Sequence, residues 1–310
     1  MRERLQLTHG CSLSNLPLFV AEAAGIFAEQ GLDVEAPVFS KMSSTAQALA
    51  TGEADLGTAA FIQPLIDSVR TNPPVIVAGS GLMGIVLLAQ PGTASVTELA
   101  RRPIGTFRGD PLELLLHDVL MAAGMRMSDV EVHYLDDIAD AMSMFSDGRL
   151  AALTLAEPHA TRLRRSGAVA LSDGTELWGA SFPDTVLVAS ARFLAERPAV
   201  VSAAIRAMLQ AEELIVTDPA AAITYAMPQY EGYSHDELTE AAARQPPCVD
   251  IRRFVPTVLD RWSTLQSLEL VPTGSLAPPG ALCLDLLETE LAPPELTNPF
   301  TTNRKEPVHD

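Results

Sequence analysis

The chain of 310 residues has few basic residues, few aromatic residues and only three cysteines. Lysine and arginine number 21 against 39 aspartate and glutamate residues, so the formal net charge is −18. A surface this acidic argues against nucleic acid and anionic membrane as partners, because both bind a basic face. Cys11, Cys248 and Cys283 are widely separated and odd in number, which indicates neither a disulfide framework nor a metal site. We therefore expect no metal and no cofactor.

The sequence also lacks a long hydrophobic run. It has no apolar stretch of about 20 residues, which a membrane-spanning helix needs. The N-terminus lacks the apolar segment of a secretory signal. We expect no membrane insertion, and a cytoplasmic location for the sequence as printed. A start codon assigned too far downstream would instead imply a periplasmic or other extracytoplasmic location.

Strands and helices alternate along the chain. This order predicts an α/β fold with mainly parallel sheets and helices on both faces, and the length favours two domains. Residues 5–40 form the leading unit: strand, loop, helix, turn and second strand. The loop at 9–15 follows a strand and precedes a helix, so we expect it at a ligand pocket. Residues 141–154 weakly echo residues 46–59, as two lobes built on one plan would.

Several stretches resemble one protein superfamily, in the order in which it carries them. They are LPLFVAEAAGIFAEQGLDVE, ALATGEADLGTAA, ELARRPIGTFRGDPLELLLHDVLMAAGM, VEVHYLDDIADAMSMFSDGRLAALTLAEPHATRL and RFLAERPAVVSAAIRAMLQA. They are similar to the type II periplasmic-binding-protein superfamily, and within it to the sulfonate, nitrate and thiamine-precursor solute-binding proteins. A weaker likeness connects the chain to the cytoplasmic aromatic sulfinate desulfinases.

The resemblance implies two α/β lobes joined by two crossing strands that act as a hinge, with the ligand bound between them. The crossings are expected near 81–86 and 181–186. Residues 1–84 and 184–270 would then form lobe 1, and residues 85–183 lobe 2. Residues 271–310, in which proline becomes frequent, are expected to pack on a lobe as a partly disordered tail.

The resemblance leaves two functions open. The first is a receptor or sensor that binds a small polar organic molecule, with an ABC permease as partner if the protein is exported. The second is a cytoplasmic enzyme, a desulfinase-like lyase or a hydrolase, with Cys11 as nucleophile or acid/base. The desulfinase likeness places a catalytic cysteine at this position. It also requires His and Arg partners between about 40 and 56, and the sequence has neither there.

The first loop supplies four candidate residues. A helix start next to Cys11 would lower the pKa of its thiol, and His9 would face the same way in an extended chain. These are the catalytic residues of the enzyme hypothesis. Cys11, Ser12 and Asn15 are ligand-binding candidates in either case. The alternatives are that Cys11 is a small buried residue, that His9 is a capping or solvent-facing group, and that Asn15 caps the helix.

The second lobe supplies five more candidates. Arg108, Gly109 and Asp110 stand where the resembled proteins offer a helix start to an anion. Asp110 also fits the N-cap of the helix that follows, with Glu113 completing a variant of the capping box. A carboxylate at that helix start would repel an anion, which favours a neutral or zwitterionic ligand. Glu157 would hold an ammonium or amidine group or act as a general base, with His159 beside it. The alternative is that Glu157 caps the helix and that His159 is a surface group.

The remaining candidates belong to the loops and crossing strands. Phe61 and Phe182 would flank a flat, partly apolar ligand, or else belong to the core. Asp184 and Thr185 lie on the second expected crossing.

Overall fold

The computed structural model describes residues 2–35, 48–49, 51–69 and 71–292. These residues form two lobes, each built on a β-sheet with helices on both faces, as the sequence predicts. The sequence also predicts a second strand over 32–38 and a helix over 43–51. The end of that strand and most of that helix lie outside the described residues.

The first sheet has the order β2-β1-β3-β10-β4 among the described residues. Strands β2, β1 and β3 run parallel, and β10 runs antiparallel to β3 and to β4. Strand β4 is buried throughout, because helices cover both faces of this sheet. The bounds are β1 Glu3–Thr8, β2 Leu32–Glu35, β3 Leu56–Ala60, β4 Pro74–Leu82 and β10 Pro183–Ser190.

The second sheet has the same plan, with the order β7-β6-β8-β5-β9 in the described chain. Strands β7, β6 and β8 run parallel, and β5 is antiparallel to β8 and β9. The bounds are β5 Ile85–Ala89, β6 Pro103–Thr106, β7 Glu131–Tyr134, β8 Ala152–Ala156 and β9 Val169–Ser172. Both sheets are mixed because each contains a strand that has just crossed from the other sheet.

The chain crosses between the sheets twice. Met83 and Gly84 separate β4 of the first sheet from β5 of the second. The return runs from Gly179 to Phe182 and enters β10. These links lie where the resemblance places the two crossings.

The described helices are numbered in chain order. Their bounds are α1 Leu16–Ala23, α2 Ile26–Glu29, α3 Gln63–Ile66, α4 Pro111–Ala122, α5 Ile138–Ser146, α6 His159–Arg165, α7 Thr175–Trp178, α8 Ala191–Glu196, α9 Pro198–Thr217, α10 Pro219–Ala226, α11 His235–Ala242, α12 Val255–Asp260, α13 Trp262–Ser267 and α14 Asp285–Leu291. No described helix is long and apolar enough to cross a membrane.

Three features differ from the sequence-based expectations. Strand β9 and helix α7 were not predicted, because each is only four residues long and carries little periodicity. The spacing of Phe254, Val258, Leu259 and Trp262 on one helical face predicts a single helix over 254–268, but the structure divides it at Arg261 into α12 and α13. Helix α13, grouped with the first lobe by sequence, lies against α4 of the second lobe, where Arg261 bonds to Asp118.

The tail returns to the first lobe. The backbone N–H of Cys283 donates to the carbonyl of Ile76 on β4, at 2.9 Å. Helix α14 then packs on α9, and Glu290 pairs with Arg206 there at 2.7 Å. The disorder predicted for the last residues stays a prediction, because residues 293–310 lie outside the described chain. The predicted limits of the two lobes also stay predictions.

Candidate functional site

The loop after β1 is held by its own side chains. Residues Leu13–Asn15 form one turn of 3-10 helix, and Ser12 caps it by accepting from the Ser14 backbone N–H. The amide nitrogen of Asn15 donates to the carbonyls of Gly10 (3.3 Å) and Ser12 (2.9 Å). Asn15 has no side-chain capping bond to α1, so the expected cap is wrong and its amide shapes the loop instead.

This loop also packs closely on β4, just before the chain leaves the first sheet. The hydroxyl of Ser80 donates to the carbonyl of Ser14 at 2.7 Å. A Cβ on Gly81 would lie 2.6 Å from the Ser14 Cα, so only glycine allows this approach. The first loop is therefore fixed against the first crossing.

A run of hydroxyl groups connects the loop to the second crossing strand. The Ser14 hydroxyl lies 2.6 Å from that of Thr185 and 2.9 Å from that of Ser12. Thr185 in turn donates to the buried carboxyl group of Asp184. The predicted residues Ser12, Asp184 and Thr185 are thus brought together, at the junction of the lobes.

Asp110 opens helix α4 of the second lobe, as the capping prediction states. Its Oδ1 accepts from the backbone N–H of Leu112 at 3.0 Å. The capping-box variant is not formed as predicted, because the Glu113 carboxylate accepts from the N–H of Gly109 rather than that of Asp110. Gly109 has φ +70°, a conformation that favours glycine, and lies near Ile66 of the first lobe.

The carboxyl groups of Asp110 and Asp184 interact although they come from different elements. Burial raises the pKa of Asp110 to about 7, and the nearby charge of Asp184 adds to this shift. Burial also raises the pKa of Asp184 to about 6. Gln245 donates to Asp184 at 3.0 Å and to the carbonyl of Met83 at 3.1 Å. Two buried carboxyl groups therefore lie near each other beside the first loop.

Arg108 is committed to other partners. Its guanidinium donates to the Glu113 carboxylate (2.8 Å), the Tyr134 hydroxyl (3.0 Å) and the Leu268 carbonyl (3.0 Å). These bonds hold it on the surface of the second lobe, where its side chain is 47% exposed. Ligand contact by Arg108 stays a prediction.

Glu157 also has both carboxylate oxygens occupied. Oε2 accepts from the Thr161 backbone N–H in the first turn of α6 at 2.9 Å, as the capping alternative expects, although the N-cap residue is Pro158, and Oε1 accepts from Arg164. The surface position that this alternative gives to His159 is wrong, because its Nε2 is buried. Its backbone carbonyl accepts from the N–H of Leu13 at 3.0 Å. Glu157 thus contacts the first loop through its backbone, while its charge is neutralised inside its own lobe.

A row of aromatic rings leads from the first lobe to the second. Successive ring centroids lie 5.0 Å apart for His9–Phe19, 6.0 Å for Phe19–Tyr230, 6.0 Å for Tyr230–Tyr233 and 5.6 Å for Tyr233–His159. All four contacts are edge-to-face. The predicted residues His9 and His159 are the two ends of this row, which we call the aromatic row.

Sequence reasoning missed four residues of this region. Phe19 lies on α1, Tyr230 and Tyr233 lie in the short segment between α10 and α11, and Gln245 follows α11. Two tyrosines three residues apart in an otherwise aromatic-poor chain were the available signal. Gln245 carried none, because its role depends on Asp184 and Met83, both distant in sequence.

The environment of Cys11 does not activate its thiol. Burial raises the pKa of Cys11, and the carboxylates of Asp137 and Asp110 raise it further. The expectation that the helix start lowers this pKa is therefore wrong, since Asp110 and Asp137 bring negative charge to the same place. Burial lowers the pKa of His9, and its Nδ1 bonds to the carbonyl of Gly10 at 2.9 Å.

The two predicted phenylalanines are core residues. Phe61 is 1% exposed and Phe182 is fully buried. The ring of Phe182 packs edge-to-face on Trp178 at 4.9 Å, inside the second lobe. The core alternative is thus confirmed for both.

Several buried polar atoms near the junction have no hydrogen-bond partner. They are Nε2 of His9, Oδ1 of Asn15, Nε2 of His159, the Tyr230 hydroxyl and Oε1 of Gln245. Buried polar atoms in folded proteins are nearly always paired, so unpaired ones clustered at a lobe junction indicate a place for a ligand. Within the described chain, no group of three or more metal-ligating side chains is suited to hold a metal ion.

Comparison with known proteins agrees with the fold. A Brucella abortus protein whose name marks it only as a candidate binding protein is 26% identical over 208 residues. That match covers 64% of this chain and 63% of the relative, so the chain spans less than two thirds of the length of the relative it matches.

Solved structures share the whole architecture at low identity. The alkanesulfonate-binding protein of Xanthomonas axonopodis pv. citri, bound to MOPS, has a TM-score of 0.78 at 20% identity and covers 92% of this chain and 99% of its own. The periplasmic nitrate-binding protein of Synechocystis PCC 6803 has a TM-score of 0.80 at 13% identity, with coverages of 93% and 88%. A DszB variant in complex with biphenyl-2-sulfinic acid has a TM-score of 0.68 at 16% identity, with coverages of 94% and 99%.

These likenesses establish the two-lobed periplasmic-binding-protein fold, and a family model gives the assignment within it. The model described as NMT1/THI5-like matches residues 13–222, which include the end of the first loop, both crossings and α9. The chain therefore belongs to the NMT1/THI5-like family.

Proposed function

We propose that this protein is a solute-binding receptor or sensor that captures a small polar organic molecule between its two lobes. The observation that carries this proposal is the set of unpaired buried polar atoms where the first loop, the aromatic row and the second crossing meet. A bound molecule would supply the missing hydrogen bonds and thereby stabilise contact between the lobes.

The proposed ligand is an organic molecule rather than a small inorganic anion. The start of α4 already holds the protein's own carboxylate, Asp110, and the guanidinium of Arg108 is bound elsewhere. The rings of Tyr230, Tyr233 and Phe19 offer an apolar wall for a flat molecule. We therefore do not propose a sulfonate or nitrate as the ligand of this protein, although structural neighbours bind these anions.

Catalysis by Cys11 receives less support than binding. The raised pKa of the thiol opposes thiolate formation. His9 is buried and packs on Phe19, with its Nδ1 engaged by a backbone carbonyl. No contact of the described residues joins these two side chains as a nucleophile and its base.

A thermal-shift screen tests the proposal. Sulfonates, sulfinates, pyrimidines, amines and dicarboxylates are added in turn, and a compound held between the lobes raises the melting temperature. Tyr230→Phe should lower the affinity for the best compound by about tenfold or more, because it removes one buried hydroxyl group from the site. Tyr225→Phe, a matched change on α10, should leave the affinity unchanged. A screen without hits, or a hit insensitive to Tyr230→Phe, would contradict the proposal.

We further propose that an ABC permease is the partner if the protein resides outside the cytoplasm. Fractionation of cells that carry the full-length gene tests this part. If the protein is recovered only from the cytoplasm, the proposal of a permease partner is contradicted and the sensor proposal stands.

A further inference from the structure

Resting on the proposed function, we infer that the ligand carries a cationic nitrogen, as an amine or amidine, which lies between Asp110 and Asp184. Charges and hydrogen-bond acceptors that remain unmatched at the junction of the lobes support this ligand class.

The two carboxyl groups have no basic partner among the described residues. Asp110 is 8% exposed and Asp184 is 6% exposed. The ion pairs of the described chain include neither of them, and the nearby arginines Arg108, Arg162 and Arg164 pair with glutamates. The hydrogen-bond donors to these two side chains are all uncharged. A buried carboxylate pair without a cation is costly, and an entering cation removes that cost.

The unpaired amide atoms beside the carboxyl groups are also acceptors. Asn15 donates through Nδ2 to two carbonyl oxygens, which fixes the orientation of the amide and leaves Oδ1 without a donor. Gln245 donates through Nε2 to the Met83 carbonyl and to Asp184, which likewise leaves Oε1 unmatched. Gln245 is 1% exposed and Asn15 is 2% exposed.

The tautomer of His9 adds a third acceptor. Nδ1 faces the carbonyl of Gly10 and so carries the proton, while burial lowers the pKa of the ring and keeps it neutral. Nε2 then carries a lone pair and is a buried hydrogen-bond acceptor without a donor. Buried carboxyl groups and unmatched acceptors are complementary to a group rich in N–H donors, which describes an ammonium or amidinium ion and not a sulfonate or nitrate.

The aromatic row supports the same ligand class. The row begins at His9 of the first loop, whose ring packs on Phe19. The same loop reaches Asp184 through the hydroxyl groups of Ser14 and Thr185. The rings and this carboxyl group therefore meet at one loop. A cation next to the rings of Phe19 and Tyr230 gains additional attraction from their π faces, whereas a face of Tyr233 already carries the guanidinium of Arg162.

Three flat molecules of similar size separate the possibilities: benzamidine as cation, benzamide as neutral isostere and benzenesulfonate as anion. Binding is measured by calorimetry at about pH 8, where the carboxyl groups are mostly ionised. We expect benzamidine to bind at least about tenfold more tightly than benzamide, and benzenesulfonate to bind more weakly than both.

Asp110→Asn and Asp184→Asn should each lower the affinity for benzamidine by about tenfold or more. The affinity for benzamide should change by less than about threefold. Both substitutions keep an oxygen acceptor, so the amide introduced by Asp110→Asn can still cap α4. Asp218→Asn makes the same chemical change at the exposed cap of α10, where Oδ1 accepts from Ala221, and should leave all affinities unchanged.

The outcomes distinguish the two proposals. Binding of benzenesulfonate or benzamide as tight as that of benzamidine, lost in Tyr230→Phe, would overturn the cationic ligand and leave the receptor proposal standing. Benzamidine affinity unchanged in both aspartate variants would also overturn the inference. Failure of all three probes, together with a screen without hits, would overturn both.

Discussion

The backbone N–H of Leu13 donates a hydrogen bond to the carbonyl oxygen of Glu157, 3.0 Å away, and so joins the first loop of one lobe to a strand end of the other. A second contact between the lobes lies beside it. Arg162 on α6 covers the ring of Tyr233 at 3.4 Å and bonds to the Glu237 carboxylate at 3.1 Å. The lobes therefore meet at two places, one at the first loop and one at Tyr233 of the aromatic row.

Arg162→Ala should weaken this contact between the lobes. Hydrogen bonds from Arg162 and from the backbone N–H of Ser234 lower the pKa of Glu237 to about 2, so Glu237 is ionised and pairs with Arg162. If the paired lobes are the ligand-competent state, their lower population reduces the apparent affinity by a few-fold to about tenfold. Calorimetry with the best compound from the screen measures the affinity, and small-angle scattering measures the separation of the lobes.

Arg149→Ala is the control for that experiment. Arg149 pairs with Asp147 inside the second lobe, with side chains 57% and 60% exposed. It should change neither quantity. Equal affinity and equal dimensions in Arg162→Ala would show that the contact does not govern closure.

The stability that Asp110 and Asp184 contribute to the unliganded protein should fall as the pH rises, while His159, whose pKa burial lowers to about 4, contributes in the opposite direction. The pKa of Asp110 rises from 3.8 to about 7 on folding and that of Asp184 from 3.8 to about 6, so the folded state binds more protons between these values. The unfolded state ionises first, and stability is lost progressively from about pH 4 to about pH 7. Urea unfolding at a series of pH values measures this slope.

Asp110→Asn and Asp184→Asn should flatten that slope and raise the stability near pH 7, because each removes a carboxyl group that is costly to ionise. Asp218→Asn serves again as the control with an unchanged slope. A pH dependence of stability that is the same in the unsubstituted protein and in both variants would disprove the assignment.

Cys11 should react slowly with alkylating agents in the native protein. Its pKa is raised by burial and by Asp137 and Asp110, so little thiolate exists at pH 7. A Cys248→Ser, Cys283→Ser variant leaves Cys11 as the only thiol, and mass spectrometry follows iodoacetamide labelling before and after unfolding in urea. Labelling should be faster in the unfolded chain, and rapid native labelling would contradict the raised pKa.

Cys11→Ser should retain the affinity for the best compound within about threefold, since the proposed function requires no nucleophile. A loss of about a hundredfold or more would instead indicate a direct and essential role for the sulfur.

Asp118→Ala should destabilise the second lobe. The carboxylate of Asp118 accepts from Trp178 Nε1 at 2.8 Å and from Arg261 at 3.1 Å, and thereby attaches the α12–α13 segment to α4. Its removal leaves both donors unpaired in a mostly buried place, at a cost of about 2–3 kcal/mol. Urea denaturation measures the loss, and Asp147→Ala, at an exposed ion pair, should cost less than about 0.5 kcal/mol.

Local features could be predicted from the sequence because they depend on neighbours in the chain. The order of strands and helices, the cap at Asp110 and the cap at Glu157 follow from spacing over four residues or fewer. The two-lobed fold followed from stretches that resemble a known superfamily.

The chemistry of the candidate site was decided only by the tertiary structure. Asp110 and Asp184 come from different lobes and elements, and their pKa values rise because folding buries them together. Tyr230, Tyr233 and Gln245 join them from a segment with no recognisable motif. Sequence periodicity records which residues are buried, whereas desolvation and through-space charge depend on which distant residues are buried side by side.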